Sequence, residues 1–213
     1  MANDSSKSEN IESLIKGLND IIADLEQDLA IPAGFFASLR QEPSDWAFII
    51  KLHALFEAAV THLLVHYFGK EQLEPIFTNL QMSDVRIGKV AFLNKLELLE
   101  KEEIAFIRTL SEIRNQYTHM IRNVNLPLSD IVTNLPKDRL QSIVRSYYSA
   151  GDPENMKVKS NPRPYIFTAA LMILPNIYII KKDAIAKRDQ TERQCQVGKD
   201  FEDEFIETVE TEE

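Results

Sequence analysis

The chain has one cysteine, one tryptophan and six glycines in 213 residues, and its 24 Lys and Arg are outnumbered by 33 Asp and Glu. A lone cysteine, Cys195, excludes an intrachain disulfide framework and any zinc site built from cysteine pairs. That usage suits a reducing, cytoplasmic setting. None of the six glycines forms a phosphate-cradling loop. A formal charge of −9 argues against a broad basic face, the source of most non-specific affinity for nucleic acid. No run alternates cleanly enough to read as a strand, and no internal repeat is visible. Met1 to Asn10 are polar, with no apolar core or cleavage pattern, so no secretory signal is expected and the segment reads as a flexible N-terminus.

What the chain does have is 44% hydrophobic and 27% charged residues, enough for one globular domain with extensions at its ends. Much of the acidity is local. Residues 200–213 hold eight acidic groups and no basic one, which leaves the remainder at a net −1. The expected organisation is a flexible segment 1–10, a helical domain 11–190 and an acidic, disordered tail 191–213. A sharper reading makes the tail an arm that docks a basic partner or covers a phosphate-binding cleft of the protein itself.

The apolar periodicity is helical almost throughout, predicting an all-α single bundle of about five to seven helices. Ile11, Leu14, Ile15, Leu18, Ile21, Ile22 and Leu25 mark a first amphipathic helix that Ile31-Pro32-Ala33-Gly34 should stop. A second opens at Pro43-Ser44-Asp45, with Ser44 as N-cap, and ends at Gly69. It is apolar nearly all round, from Trp46 to Phe68, so it must be central to the bundle or lie at a subunit interface. A short helix is expected over Glu71 to Leu80 and another from Ser83-Asp84 to Leu99. Asn125 to Ser129 should break the pattern, Leu135-Pro136 to Ser149 reads as a weaker helix, and Gly151 to Pro164 as a loop. Tyr165 to Ile180 carries no charge, but its sixteen residues fall short of a bilayer span and Pro175-Asn176 interrupts them, so a buried core helix is expected rather than a membrane anchor.

The chemistry concentrates in Arg114-Asn115-Gln116-Tyr117-Thr118-His119, within a helix expected from about Glu102 to Asn123. Histidine titrates near neutrality and arginine grips phosphate, a pairing that suits a phosphodiester. Projected at about 100° per residue, Phe106, Ile107, Leu110, Ile113, Tyr117, Met120 and Ile121 share one arc, while Arg108, Glu112, Asn115, His119 and Arg122 share the other. Arg114 falls inside the apolar arc, where a charge needs a partner. Glu57, the acid midway along the apolar second helix, is the internal candidate. On the polar stripe, histidine would take a proton from a ribose 2′-OH, asparagine would orient it and arginine would stabilise charge on the phosphate, with no metal. His62 and His66 lack a third metal ligand and read as packing residues. Lys181-Lys182 and Lys187-Arg188 read as a solvated helix end.

Arg114-Asn115 followed by His119 resembles the Arg-x4-6-His motif of the HEPN superfamily, helical domains of prokaryotic toxins, defence proteins and RNA-processing enzymes. Lys89 to Leu99 resembles the helix that commonly precedes the motif, and Phe56-Glu57 the acid-bearing apolar helix upstream; the resemblance spans roughly residues 40 to 182. It implies a metal-independent endoribonuclease with no cofactor, acting as a homodimer whose motif helices meet across a twofold axis. By that carry-over His119 is the general base, Arg114 a phosphate contact and Asn115 a polar positioner; Arg122 and Arg108 are added from the helix projection as RNA contacts. Non-catalytic relatives, the mannitol-operon repressor family among them, imply the alternative of a helical dimer that regulates transcription or scaffolds a partner, with Arg114 locked to Glu57. A further reading is a nucleotide-binding subunit that pairs with a nucleotidyltransferase antitoxin. The expected partners are thus a second copy, RNA, and an antitoxin or regulatory protein, without a membrane.

Overall fold

A computed structural model of the chain describes residues 16–119, 121–148 and 157–210, with side chains given as far as 196. The described residues are all-α, with no strand among them. Among the described residues there are nine α-helices: α1 (16–28), α2 (Phe35–Arg40), α3 (Asp45–Phe68), α4 (Glu74–Asn79), α5 (Lys89–Lys95), α6 (Lys101–His119), α7 (Leu128–Thr133), α8 (Lys137–Arg145) and α9 (Pro162–Glu210). Two 3-10 turns, Glu71–Leu73 and Ile121–Asn125, precede α4 and α7. The surplus over five to seven comes from short helices in the connections, which are too brief to leave a periodic signature.

α3 is the axis of the bundle, packed chiefly against α9 and α6, while α6 also packs on α8. Its ends form as the sequence predicts. Ser44 accepts from the Ala47 amide at 3.2 Å, and Gly69 closes the helix in the left-handed region at φ 62°. Between them Phe48, Ile49, Leu52, Phe56, Val60, Leu63 and Leu64 are wholly buried. Each such side chain contributes roughly 1.5–3 kcal/mol by leaving water.

α9 departs from expectation. It runs through Pro175 without a break and continues to Glu210, so part of the segment read as a disordered tail has helical backbone. A proline inside a helix removes one backbone donor and crowds the preceding turn. Here the flanks Ile173, Leu174, Ile177 and Tyr178 are buried, so packing holds the helix through it. The uncharged run is therefore a core-facing stretch of a longer helix. Both α3 and 162–196 are long and apolar enough to cross a membrane, with 67% and 50% of their most apolar windows buried inside the bundle. Residues 1–15, including Ile11, Leu14 and Ile15 and the whole 1–10 segment, lie outside the described residues, as do 211–213 of the acidic tail and 149–156, which take in the first part of the expected loop.

Two more boundaries move. α5 opens at Lys89 rather than at Ser83-Asp84, because the Asp84 carboxylate accepts from the amides of Arg86 and Ile87 at 2.8 and 3.1 Å and folds a turn instead of capping a helix. Gly88 ends that turn: a Cβ there would lie 2.4 Å from the Gln81 carbonyl oxygen and 2.6 Å from that of Asp84. α7 fills the stretch after Asn125, which composition marks only as a break.

Buried carboxylates tie the smaller pieces down. Glu103 accepts from the Glu100 amide and from Asn176 Nδ2, both at 2.9 Å, capping α6 and pinning it to α9. Glu26 accepts from the Gly34 amide at 2.7 Å and the Phe36 amide at 2.9 Å, holding α2 against α1. Replacing Glu26 by Ala strands two donors, so urea unfolding of Glu26→Ala should show a loss of about 2–4 kcal/mol. A loss within about 0.5 kcal/mol, the range of ordinary surface substitutions, would mean the carboxylate is dispensable.

Candidate functional site

The motif lies on the last turns of α6, and the structure divides it. Arg114 and Asn115 are half-buried, whereas His119, the final residue of the helix, is exposed. Arg114 Nη1 donates to Asn115 Oδ1 at 3.0 Å, and Arg114 Nη2 lies 3.8 Å from Glu57 Oε1. The ion pair expected between Arg114 and Glu57 is thus present at the long edge of contact, and about a third of the arginine side chain remains exposed. Asn115 and His119, four residues apart on α6, keep the shared helical face that the projection gives them, and the Asn115 amide oxygen accepts from Arg114.

The projection also overran the helix. α6 ends at His119, and Ile121 and Arg122 sit in the 3-10 turn that follows, so neither continues its assigned arc. Ile121, placed on the apolar side, is 88% exposed, and Met120 lies outside the described residues. Arg122 is exposed on the turn. Arg108 lies about three turns before His119 along α6 and lines a cavity of about 220 Å³ with Val90 and Asn94 of α5 and Lys101, apart from the motif. Glu112, from the same polar arc, pairs with Arg139 of α8 at 2.7 Å.

Three side chains that the sequence does not connect with the motif complete its surroundings. His53, one helical turn before Glu57 on α3, sits with Nδ1 3.6 Å from Glu57 Oε2 and Nε2 3.0 Å from Ser111 Oγ. Ser111 in turn donates to the Ile107 carbonyl at 3.0 Å. Lys89, the first residue of α5, is buried near Glu57. The i, i+4 spacing of His53 and Glu57 and the i, i+3 spacing of Ser111 and Arg114 are visible in the sequence; Lys89 arrives from a separate helix and leaves no such signal.

The electrostatics follow. His53 beside it draws the Glu57 carboxyl below its ordinary range; burial opposes this, and the charges of Lys89 and Arg114 reinforce it. Burial lowers the Lys89 amine, with Glu57 opposing. The Glu57 carboxylate thus lies beside one permanent cation, Arg114, and the buried Lys89 amine, with the arginine itself partly open. Tyr117, buried one turn before the helix end, donates to the Leu126 carbonyl at 3.1 Å and fixes the segment after α6; burial, with Asp45 and Asp130, raises its phenol.

No group of three or more His, Cys, Asp or Glu among the described residues is arranged to hold a metal ion. His62 and His66 pack near one another, with His62 Nδ1 3.8 Å from Asp28, and the His62 carbonyl 2.8 Å from His66 Nδ1. Comparison of the chain with protein-family models, curated proteins and solved structures finds no match.

Because the Glu57 carboxyl is lowered, its contribution to stability is complete above its ordinary value of 4.5 and is lost as pH falls through the lower folded value. Chemical unfolding from about pH 7 to about pH 2 should therefore show the parent losing its advantage over Glu57→Gln only below that ordinary value. Parallel profiles for the two proteins would show that the carboxylate is not engaged by its neighbours.

Proposed function

We propose that this chain is a HEPN-type, metal-independent endoribonuclease that acts as a homodimer, its site assembled from two motif helices. One observation carries the reading: Arg114, with Asn115, is half-exposed at the edge of the charged group around Glu57, while His119 stands exposed at the end of the same helix. Five residues apart on one helix, the two point about 140° away from each other. Facing another copy, the Arg114 of one subunit and the His119 of the other would reach one phosphate. Ile121, 88% exposed beside His119, offers an apolar contact for that approach.

The chemistry is transesterification within the RNA. His119 removes the proton of a ribose 2′-OH as the 2′ oxygen attacks phosphorus, and the bond to the 5′ oxygen breaks. The products are a 2′,3′-cyclic phosphate and a 5′-hydroxyl, the leaving oxygen taking up a proton. Arg114 stabilises the charge on the non-bridging oxygens, with Asn115 holding its guanidinium in place. In this scheme Arg114 supplies positive charge locally in a chain that is acidic as a whole.

A second reading has two observations in its favour. The contact between Arg114 and Glu57 and the net charge of −9 suit a non-catalytic helical dimer, regulating transcription or binding a protein partner as the mannitol-operon repressor family does.

The test is incubation of purified protein with total RNA in EDTA, beside His119→Ala and Arg114→Ala, with subunit number measured by light scattering. Cleavage by the parent with 2′,3′-cyclic ends, reduced at least about a hundredfold in His119→Ala, supports the nuclease. A dimer that leaves every RNA intact, or a His119→Ala variant as active as the parent, overturns it; the first of these results favours the regulatory reading.

A further inference from the structure

Between the end of α2 and the start of α9 lies a cavity of about 440 Å³, a size typical of small-ligand sites, and none of its lining residues belongs to the motif helix. One wall is aromatic. Phe48 and Phe167 meet there with ring centroids 6.4 Å apart, tilted by 46°. Two guanidinium groups, Arg40 and Arg163, also line it, with Asn161 and Thr168 supplying an amide and a hydroxyl.

The two arginines differ in how their charge is met. Arg163 is fully occupied: it stacks 4.5 Å over the Phe48 ring, pairs with Asp45 at 3.4 Å and donates to the carbonyls of Leu39 and Glu42. The second oxygen of Asp45 accepts from the Leu128 amide at 2.8 Å. Glu42, the other acid close by, is paired with Lys51 and accepts from the Ser44 amide at 3.3 Å. Both acids are therefore committed. Arg40 is exposed at the end of α2, and no hydrogen bond or ion pair engages it among the described residues. The cavity thus combines a rigid aromatic wall, hydrogen-bonding groups and one uncompensated cation.

We propose that this cavity binds a small organic anion with a planar ring, its charged end on Arg40 and its ring against Phe167. A planar body matches the Phe167 ring, and the anionic end matches Arg40, the lining cation that has no partner among the described residues. The site stands independently of any ribonuclease activity.

The test is isothermal titration calorimetry of the full chain with phenyl phosphate, benzoate, inorganic phosphate and benzyl alcohol. Phenyl phosphate or benzoate should bind at least about tenfold tighter than either inorganic phosphate or benzyl alcohol, since each control lacks one half of the match. Which of the two ring-bearing anions binds better assigns the charged end as phosphate or carboxylate, and either supports the site. Arg40→Ala should weaken binding at least about tenfold, and Thr168→Trp should abolish it by filling the cavity; both positions are exposed, so circular dichroism should show the fold retained. No ring-bearing anion binding at about 1 mM, binding no tighter than the controls, or unchanged affinity in Arg40→Ala would each overturn the proposal.

Discussion

Everything in this fold answers to the apolar surface of α3. A helix of 24 residues with hydrophobic side chains on nearly every face cannot show one side to water, so the chain has to wrap it. α9 and α6 cover most of it, and the short helices α2, α4 and α5 close the remaining gaps. Their shortness follows from the same demand. They are lids on a central rod, held by its surface more than by their own helical stability, since helices of six or seven residues are marginal alone.

Within such a core each polar side chain is an exception that needs company, and the structure supplies it. Glu103 is shared between the start of α6 and Asn176; Thr109 meets Ser142 at 2.8 Å between α6 and α8; Lys181 reaches Asp28 across α9 and α1. On α3 itself His53 and Thr61 are buried and Glu57 is half-buried. Its neighbours come from three helices, His53 on α3, Arg114 on α6 and Lys89 on α5. The acid that seemed from the sequence to be a counterion for one arginine is the meeting point of a small charged group. That group lies beneath the motif and decides how Arg114 is held, whichever function the motif serves.

Much of this was legible in advance. The amphipathic pattern predicts an all-α bundle, the caps Ser44 and Gly69 bound α3 correctly, and the lone acid among apolar residues identifies Glu57 as the partner of Arg114. Two errors have a common origin. Each came from extending a local periodic signal past a point where tertiary contacts or turn chemistry override it. The motif helix was carried past His119 to Asn123, so that Ile121 and Arg122 were assigned to faces of a helix that has already ended. α5 was started at Asp84, whose side chain closes a turn. At the C-terminal end, composition assigns 191–213 to a disordered tail, whereas the helical backbone of α9 continues to Glu210.

Sequence alone determined the class of fold, the central helix and the residues from which any chemistry at the motif must come, because helical periodicity, capping and the cost of an isolated buried charge are local or compositional properties. Tertiary structure decided which of those residues meet. Arg114 and Lys89 gather on Glu57, Ser111 meets His53, and Arg40 is set beside a cavity lined by Phe167. These depend on how helices distant in sequence are set against one another, and no spacing along a single helix encodes that.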